Sequence, residues 1–319
     1  EDPIDVISGS LLAEYVDLSL EDVLEPFEIK RYYESIYNNR GGMIGDKWRF
    51  EFETSLTRQD DFITIQMPDL HMEKFHKEEN RWNNLRREDE SYLLIETVDG
   101  YLLKSRGSIM SYLYDTQGKL VSRTDEHGNT TQMTYEDGKM VKIEVTSGQW
   151  ASFWYENGRV RQIEDNTGRT VRYEYQGNYI SAVTLPTGGT MYYEYTSEGY
   201  ITKITDLNGK CYARNFYDRK GRVIRQELTG GEEYVAFYDE ANRQNTFLTT
   251  SDGNNIIYTY GNERLATKIQ YNDGTYEEKK YDAGRHVIYE RDRLGRVILR
   301  KYYESGLLAE EILPNGLIT

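Results

Sequence analysis

The sequence predicts an all-β protein: a curled antiparallel sheet of repeated β-hairpins. Three observations predict it. A tyrosine-centred unit returns about every 21 residues from Tyr114 to the C-terminus. Each copy carries two glycine turns, which leaves room for two strands of five to seven residues. The second strand of each copy alternates apolar and polar, as in Val171/Tyr173/Tyr175 against Arg172/Glu174. A fixed period of this length marks a stacked array in which each repeat completes its neighbour's core.

The anchor tyrosines are Tyr114, Tyr135, Tyr155, Tyr175, Tyr195, Tyr217, Tyr238, Tyr260, Tyr281 and Tyr303. One turn follows the anchor, as in Tyr-Asp-Arg-Lys-Gly at 217 to 221. The other falls midway, at Asp125 to Gly128, Asp165 to Gly168, Asp206 to Gly209 and Asp292 to Gly295. Asp at the first position bonds the backbone ahead of it, and Gly at the last takes the left-handed conformation. Asp165, Gly168, Asp206, Gly209, Asp292 and Gly295 are therefore turn residues. Thr131/Met133/Tyr135, Ala151/Phe153/Tyr155 and Met191/Tyr193/Tyr195 share one packed face. The first strands are less regular. Their apolar positions, Val160 and Ile163 or Met140 and Ile143, lie three apart, which fits either a bulge or cover on both faces.

Residues 1–105 do not repeat. Strand composition runs through Val6 to Ser19, Phe27 to Tyr37, Trp48 to Leu56, Phe62 to Met67 and Tyr92 to Leu103. The charged stretch from His71 to Glu90 reads as a short exposed helix or a long loop. Two parts follow: an N-terminal β module over 1–105 and a hairpin array over 106–319. Roughly twenty strands at about 4.8 Å each make a ribbon on the order of 100 Å, too long to stay open and flat.

Composition excludes several functions. Low aliphatic content is offset by 29 tyrosines, which suit half-buried pleated surfaces. A formal charge of −15 disfavours nucleic acid and anionic membrane as partners. No apolar run of 18 residues exists to insert in a bilayer. The single cysteine, Cys211, excludes an internal disulfide and a Cys-based zinc site. His71 and His76 flank Glu73, but their spacing suits neither a helix face nor a strand face. His127 sits in a turn, and His286 takes a strand position that is usually apolar. Neither a metal nor a cofactor is expected, and no Ser-His-Asp or Cys-His grouping points to an enzyme. Trp150, Trp154, Tyr192, Tyr212 and Phe237 stand near or off the main tyrosine parity, as in arrays that stack rings on sugars.

The pattern Tyr-Asp-x-x-Gly-Arg-Val at 217–223, with Tyr114 to Leu120 and Tyr281 to Arg285, resembles the YD repeat of RHS (rearrangement hotspot) proteins. The opening is similar to the module that precedes those repeats in bacterial members. It carries Asp2-Pro3-Ile4-Asp5, Ser8-Gly9, Asp17-Leu18, Arg31-Tyr32-Tyr33, and Gly45 followed by Trp48. One departure is visible: the family's Gly-x-Gly-Trp is here Gly45-Asp46-Lys47-Trp48, so the turn before Trp48 is expected to differ. The resemblance implies a partial YD-repeat β-shell. In the family such shells enclose the C-terminal toxic domain of polymorphic toxins, and in teneurins they serve adhesion. It further implies a secreted or cell-surface bacterial protein whose partners are a C-terminal toxin or effector domain and further YD repeats or another copy of the sheet. The chain starts at Glu1, carries no targeting signal of its own and stops in mid-repeat, so it reads as a piece of something longer. The alternative is an adhesion or carbohydrate-binding module with a cell-surface glycan as partner.

Overall fold

The computed structural model describes residues 4–37, 42–67, 72–79, 81–85, 92–105, 110–249, 253–262, 264–303 and 308–318. Among them are 29 strands and no helix, and every strand pairing is antiparallel. The protein is all-β, a curled antiparallel sheet of repeated hairpins. It divides into two compact units, one of Glu14–Tyr33 with Tyr37–Tyr192, the other of Glu1–Ala13, Glu34–Ile36 and Tyr193–Thr319.

In the first unit the hairpins follow chain order from Ser55–Gln59 to Tyr179–Thr184. Its opening strands curl tightly. Ser55 bridges Lys119, and the Leu56 amide donates to the Gly118 carbonyl at 2.9 Å. A Cβ on Gly118 would lie 1.8 Å from the Leu56 oxygen, so this closure requires glycine. The charged stretch after residue 71 is neither helix nor loop where it is described. It forms strands Met72–Glu78 and Arg81–Asn84, with Glu73, Phe75 and Trp82 buried. Glu73 on the packed face disguises the alternation, and it is satisfied by the Asn84 amide at 2.8 Å.

The repeat is clearest from Trp150–Glu156 through Arg159–Asp165 to Thr170–Gln176. Asn157 and Gly158 both have positive φ, 51° and 82°, which gives the two-residue turn whose twist matches the strands. Trp154 then lies opposite Gln162 but Tyr155 opposite Val160, so Arg161 is an extra residue. This bulge turns both Val160 and Ile163 into the core, where each is fully buried. The same shift occurs beside Tyr114, Tyr135, Tyr175, Tyr217, Tyr260, Tyr281 and Tyr302. Of the two readings of the three-residue spacing, the structure has the bulge.

The tyrosine face of the first unit is filled by the N-terminal segment. Trp48 and Phe50 are fully buried, and the Phe50 ring meets Phe153 and Tyr173 edge-on with centroids 6.0 Å apart. Lys47 has φ 65°, so the turn before Trp48 keeps a left-handed residue where the resemblance places glycine. Gly45 packs so closely that a Cβ would sit 2.3 Å from the Asn178 carbonyl. In the second unit residues 4–13 play the covering part. Gly9 accepts the Val223 amide at 2.9 Å, and the Asn245 side chain donates to the Val6 and Ile7 carbonyls at 2.8 Å.

Candidate functional site: the tyrosine ladder and the buried Asp17–Arg31 pair

Most anchor tyrosines share one geometry. In six of them the hydroxyl reaches back across the sheet to a main-chain carbonyl fifteen or sixteen residues earlier. Tyr135 donates to Leu120 and Tyr155 to Met140, both at 2.8 Å, and Tyr175 to Val160 at 2.5 Å. Tyr217 donates to Ile201 at 2.8 Å, Tyr238 to Val223 at 2.6 Å and Tyr281 to Ala266 at 2.9 Å. The bond accompanies the bulge beside Tyr135, Tyr155, Tyr175, Tyr217 and Tyr281, and it also forms at Tyr238, where the register is unbroken. Burial pushes the hydroxyls of Tyr135, Tyr155, Tyr175 and Tyr238 above the ordinary tyrosine value, so they stay protonated as donors.

Two anchors depart from the rule, and two more are half-buried on the same face: Tyr195 and Tyr260. Tyr114 is fully buried and donates to the Thr54 hydroxyl at 3.1 Å instead. Tyr303 is a correction. It is 62% exposed, while its neighbour Tyr302 sits beside the bulge and bonds the Val287 carbonyl at 3.2 Å. The signal was parity: Ile298, Arg300 and Tyr302 continue the alternation, and Tyr303 falls on the other face.

A second feature of the ladder has no counterpart in the sequence reading. The residue sixteen places before several anchors lies on that anchor's ring. The side-chain nitrogens of Lys119 and Lys139 sit 5.4 and 5.3 Å from the ring centres of Tyr135 and Tyr155. The guanidinium carbons of Arg159 and Arg222 sit 4.5 and 4.3 Å from those of Tyr175 and Tyr238. His286 stacks on Tyr302 at 4.6 Å. These contacts join one hairpin to the next, and each is a cation–π or stacking contact worth about 0.5–1 kcal/mol.

The turn aspartates act on their own loops. The Asp165 Oδ1 accepts the Thr167 and Arg169 amides at 2.9 Å, and Oδ2 accepts the Arg169 guanidinium at 2.7 Å. Burial works to raise its pKa, but these bonds outweigh it and hold the carboxyl below the usual range. Asp206 and Asp292 each accept amides two and four residues on, which lowers both. Gly168, Gly209 and Gly295 close these turns with φ of 82°, 76° and 81°.

Asp17, Arg31 and Trp48, which carry the N-terminal resemblance, meet at one place. Arg31 Nε donates to Asp17 Oδ1 at 2.8 Å, and both side chains are fully buried. The Tyr173 hydroxyl donates to Asp17 Oδ2 at 2.6 Å. The Arg31 guanidinium lies over the rings of Tyr15 and Trp48, at 4.4 and 4.9 Å. Burial pushes the Asp17 carboxyl up, against the pull of Arg31 and Tyr173. Each charge therefore depends on its partner.

A carboxylate that the sequence did not single out is Glu53. Burial raises it to about 7, and it lines a cavity of about 420 Å³ with Arg49, Lys119, Lys139, Tyr135 and Tyr155. Its oxygens accept the Phe50 and Met43 amides at 2.8 and 3.1 Å, so the group serves as a backbone clamp. The remaining candidates are dispersed. His71 lies outside the described residues, and His76 packs on Phe62 with centroids 4.7 Å apart. His127 is exposed in its turn, and Cys211 is a half-buried thiol. Among the described residues no three His, Cys, Asp or Glu side chains are placed to hold a metal.

A family described as a domain of unknown function (DUF6531) matches residues 1–75. Over 300 residues the chain is 33% identical to the tRNA nuclease WapA of Bacillus subtilis strain 168, covering 94% of this chain. The tRNA(Glu)-specific nuclease WapA of Bacillus subtilis subsp. natto matches to the same extent. The chain is RHS-like. It spans 11% of the length of these curated relatives. Among solved structures, TcdB2-TccC3 without its hypervariable C-terminal region is similar at a TM-score of 0.49 and 11% identity, covering 90% of this chain and 17% of that one. Another TcdB2-TccC3 structure gives 0.45 and 10%, covering 91% and 22%. Likeness at that level does not fix a common fold.

Proposed function

We propose that this chain is structural: wall material of an RHS-type shell that encloses a toxin or effector domain carried elsewhere in a longer secreted or cell-surface protein. Residues 1–105 would serve as the leading module and 106–319 as the repeat array, with no catalytic activity in either. The observation that carries this reading is where the polar side chains go. The anchor hydroxyls bond the neighbouring hairpin's backbone, the turn aspartates bond their own loops, and the buried ion pair ties the N-terminal segment to a wall tyrosine. Such chemistry maintains a wall. The WapA relatives are named as nucleases, and similarity to a tenth of their length fits a part that surrounds the active domain.

Limited proteolysis of the full-length parent tests this. A downstream domain should resist protease while the wall is folded and become cleavable under conditions that unfold the wall first. Electron microscopy of the parent showing an open or solid sheet, with no chamber, would overturn it. A second reading, glycan binding, is favoured by Trp154, which is 59% exposed on the face opposite the anchors. A saturable signal with cell-wall sugars that is lost in Trp154→Ala would support that reading.

A further inference from the structure

The anchor face of the second compact unit changes character along its length. In its early strands the face is apolar and buried: Ile201, Ile204, Ala213 and Val223 are fully covered, and Ala236 and Phe247 nearly so. Residues 4–13 provide cover there. Two residues before each anchor, the earlier repeats carry Phe153, Tyr173 or Tyr193. The corresponding positions before Tyr281 and Tyr302 are Lys279 and Arg300. Opposite them, where earlier strands place Ile163 or Val183, stand Glu290 and Glu311.

These four side chains form one ladder. Lys279 pairs with Glu290 at 3.2 Å, and Arg300 pairs with Glu290 and with Glu311, both at 2.9 Å. Two positive and two negative charges cancel, in a chain of net charge −15. Their side chains are 19–39% exposed. An apolar partner pressed against this row would strip water from four charges, a cost that pairing repays poorly. Charges placed on a sheet's packing face also oppose unwanted sheet association.

We infer that the charged row on the anchor face, from Tyr276–Tyr281 to Leu308–Ile312, is water-facing and keeps a second copy of this chain from packing on it. This goes beyond the shell reading and stands whether or not a passenger is enclosed.

Carbodiimide coupling of glycine ethyl ester, read by peptide mass spectrometry, tests the inference on the unmodified chain. Glu290 and Glu311 should label equally at low and high protein concentration, and two- to fivefold faster in 1 M salt as the ladder opens. Protection of both at high concentration would show that a second copy packs on this face and would overturn the inference. A variant restoring the early pattern (Lys279→Val, Glu290→Ile, Arg300→Val, Glu311→Ile) should bind an apolar dye severalfold more strongly and scatter as a larger species. An unmodified chain that binds the dye as strongly as this variant would also overturn it.

Discussion

Replacing Asp17 with Asn isolates the buried ion pair. The substitution keeps the side chain's size and leaves the Arg31 guanidinium, with no exposed surface, facing a neutral amide in place of a carboxylate 2.8 Å away. It also weakens the bond from the Tyr173 hydroxyl, now 2.6 Å from a charged oxygen. Breaking one side of a buried pair costs about 3–5 kcal/mol. For a compact unit of this size each kcal/mol moves the melting temperature by about 2–4 °C, so a fall on the order of 10 °C is expected. Urea unfolding followed by tryptophan fluorescence is the assay, since Trp48 stacks on Arg31. The double variant Asp17→Leu/Arg31→Met should recover most of the loss, because an apolar replacement of both charges is roughly neutral. A single-variant loss below about 1 kcal/mol, or a double variant no better than the single, would refute the claim that the charges depend on each other.

The ladder predicts that Tyr302→Phe costs about 1 kcal/mol and Tyr303→Phe nothing measurable, because only the first hydroxyl bonds a carbonyl. Equal losses in denaturant titrations would place the last anchor wrongly. Gly118→Ala should cost well over the ~1 kcal/mol of strain expected for a left-handed glycine, since its Cβ would overlap the Leu56 oxygen, whereas Gly158→Ala, with open space around it, should cost about that strain alone. The pH dependence follows from Glu53, whose folded pKa is raised from 4.5 to about 7. Between those values the folded chain holds the proton more tightly than the unfolded one, so stability falls as pH rises through the window, by up to about 2–3 kcal/mol. Glu53→Gln should flatten that slope, and an unchanged slope in calorimetry would count against the assignment.

Local chemistry made much of this protein legible in its sequence. The turns at Asp165, Asp206 and Asp292 close within five residues, and the aspartate bonds that hold them lie within those residues. The anchor face alternates with period two, so a stripe such as Val171, Tyr173 and Tyr175 declares itself without knowledge of its partners. Where the local pattern was ambiguous, the sequence misled. Tyr302 and Tyr303 are adjacent, and Glu73 breaks an alternation that Phe75 would otherwise continue.

The sequence by itself determined the hairpin, its period and its turn residues, because these depend on neighbours a few bonds away. Only the tertiary structure decided what fills the face. Asp17 meets Tyr173 across 156 positions, Asn245 reaches Val6 across 239, and hydroxyls such as that of Tyr175 find a carbonyl one hairpin back. No spacing rule joins Asp17 to Tyr173 or Asn245 to Val6. Their pairing follows from the need of buried polar groups for partners, which is settled only when the hairpins stack.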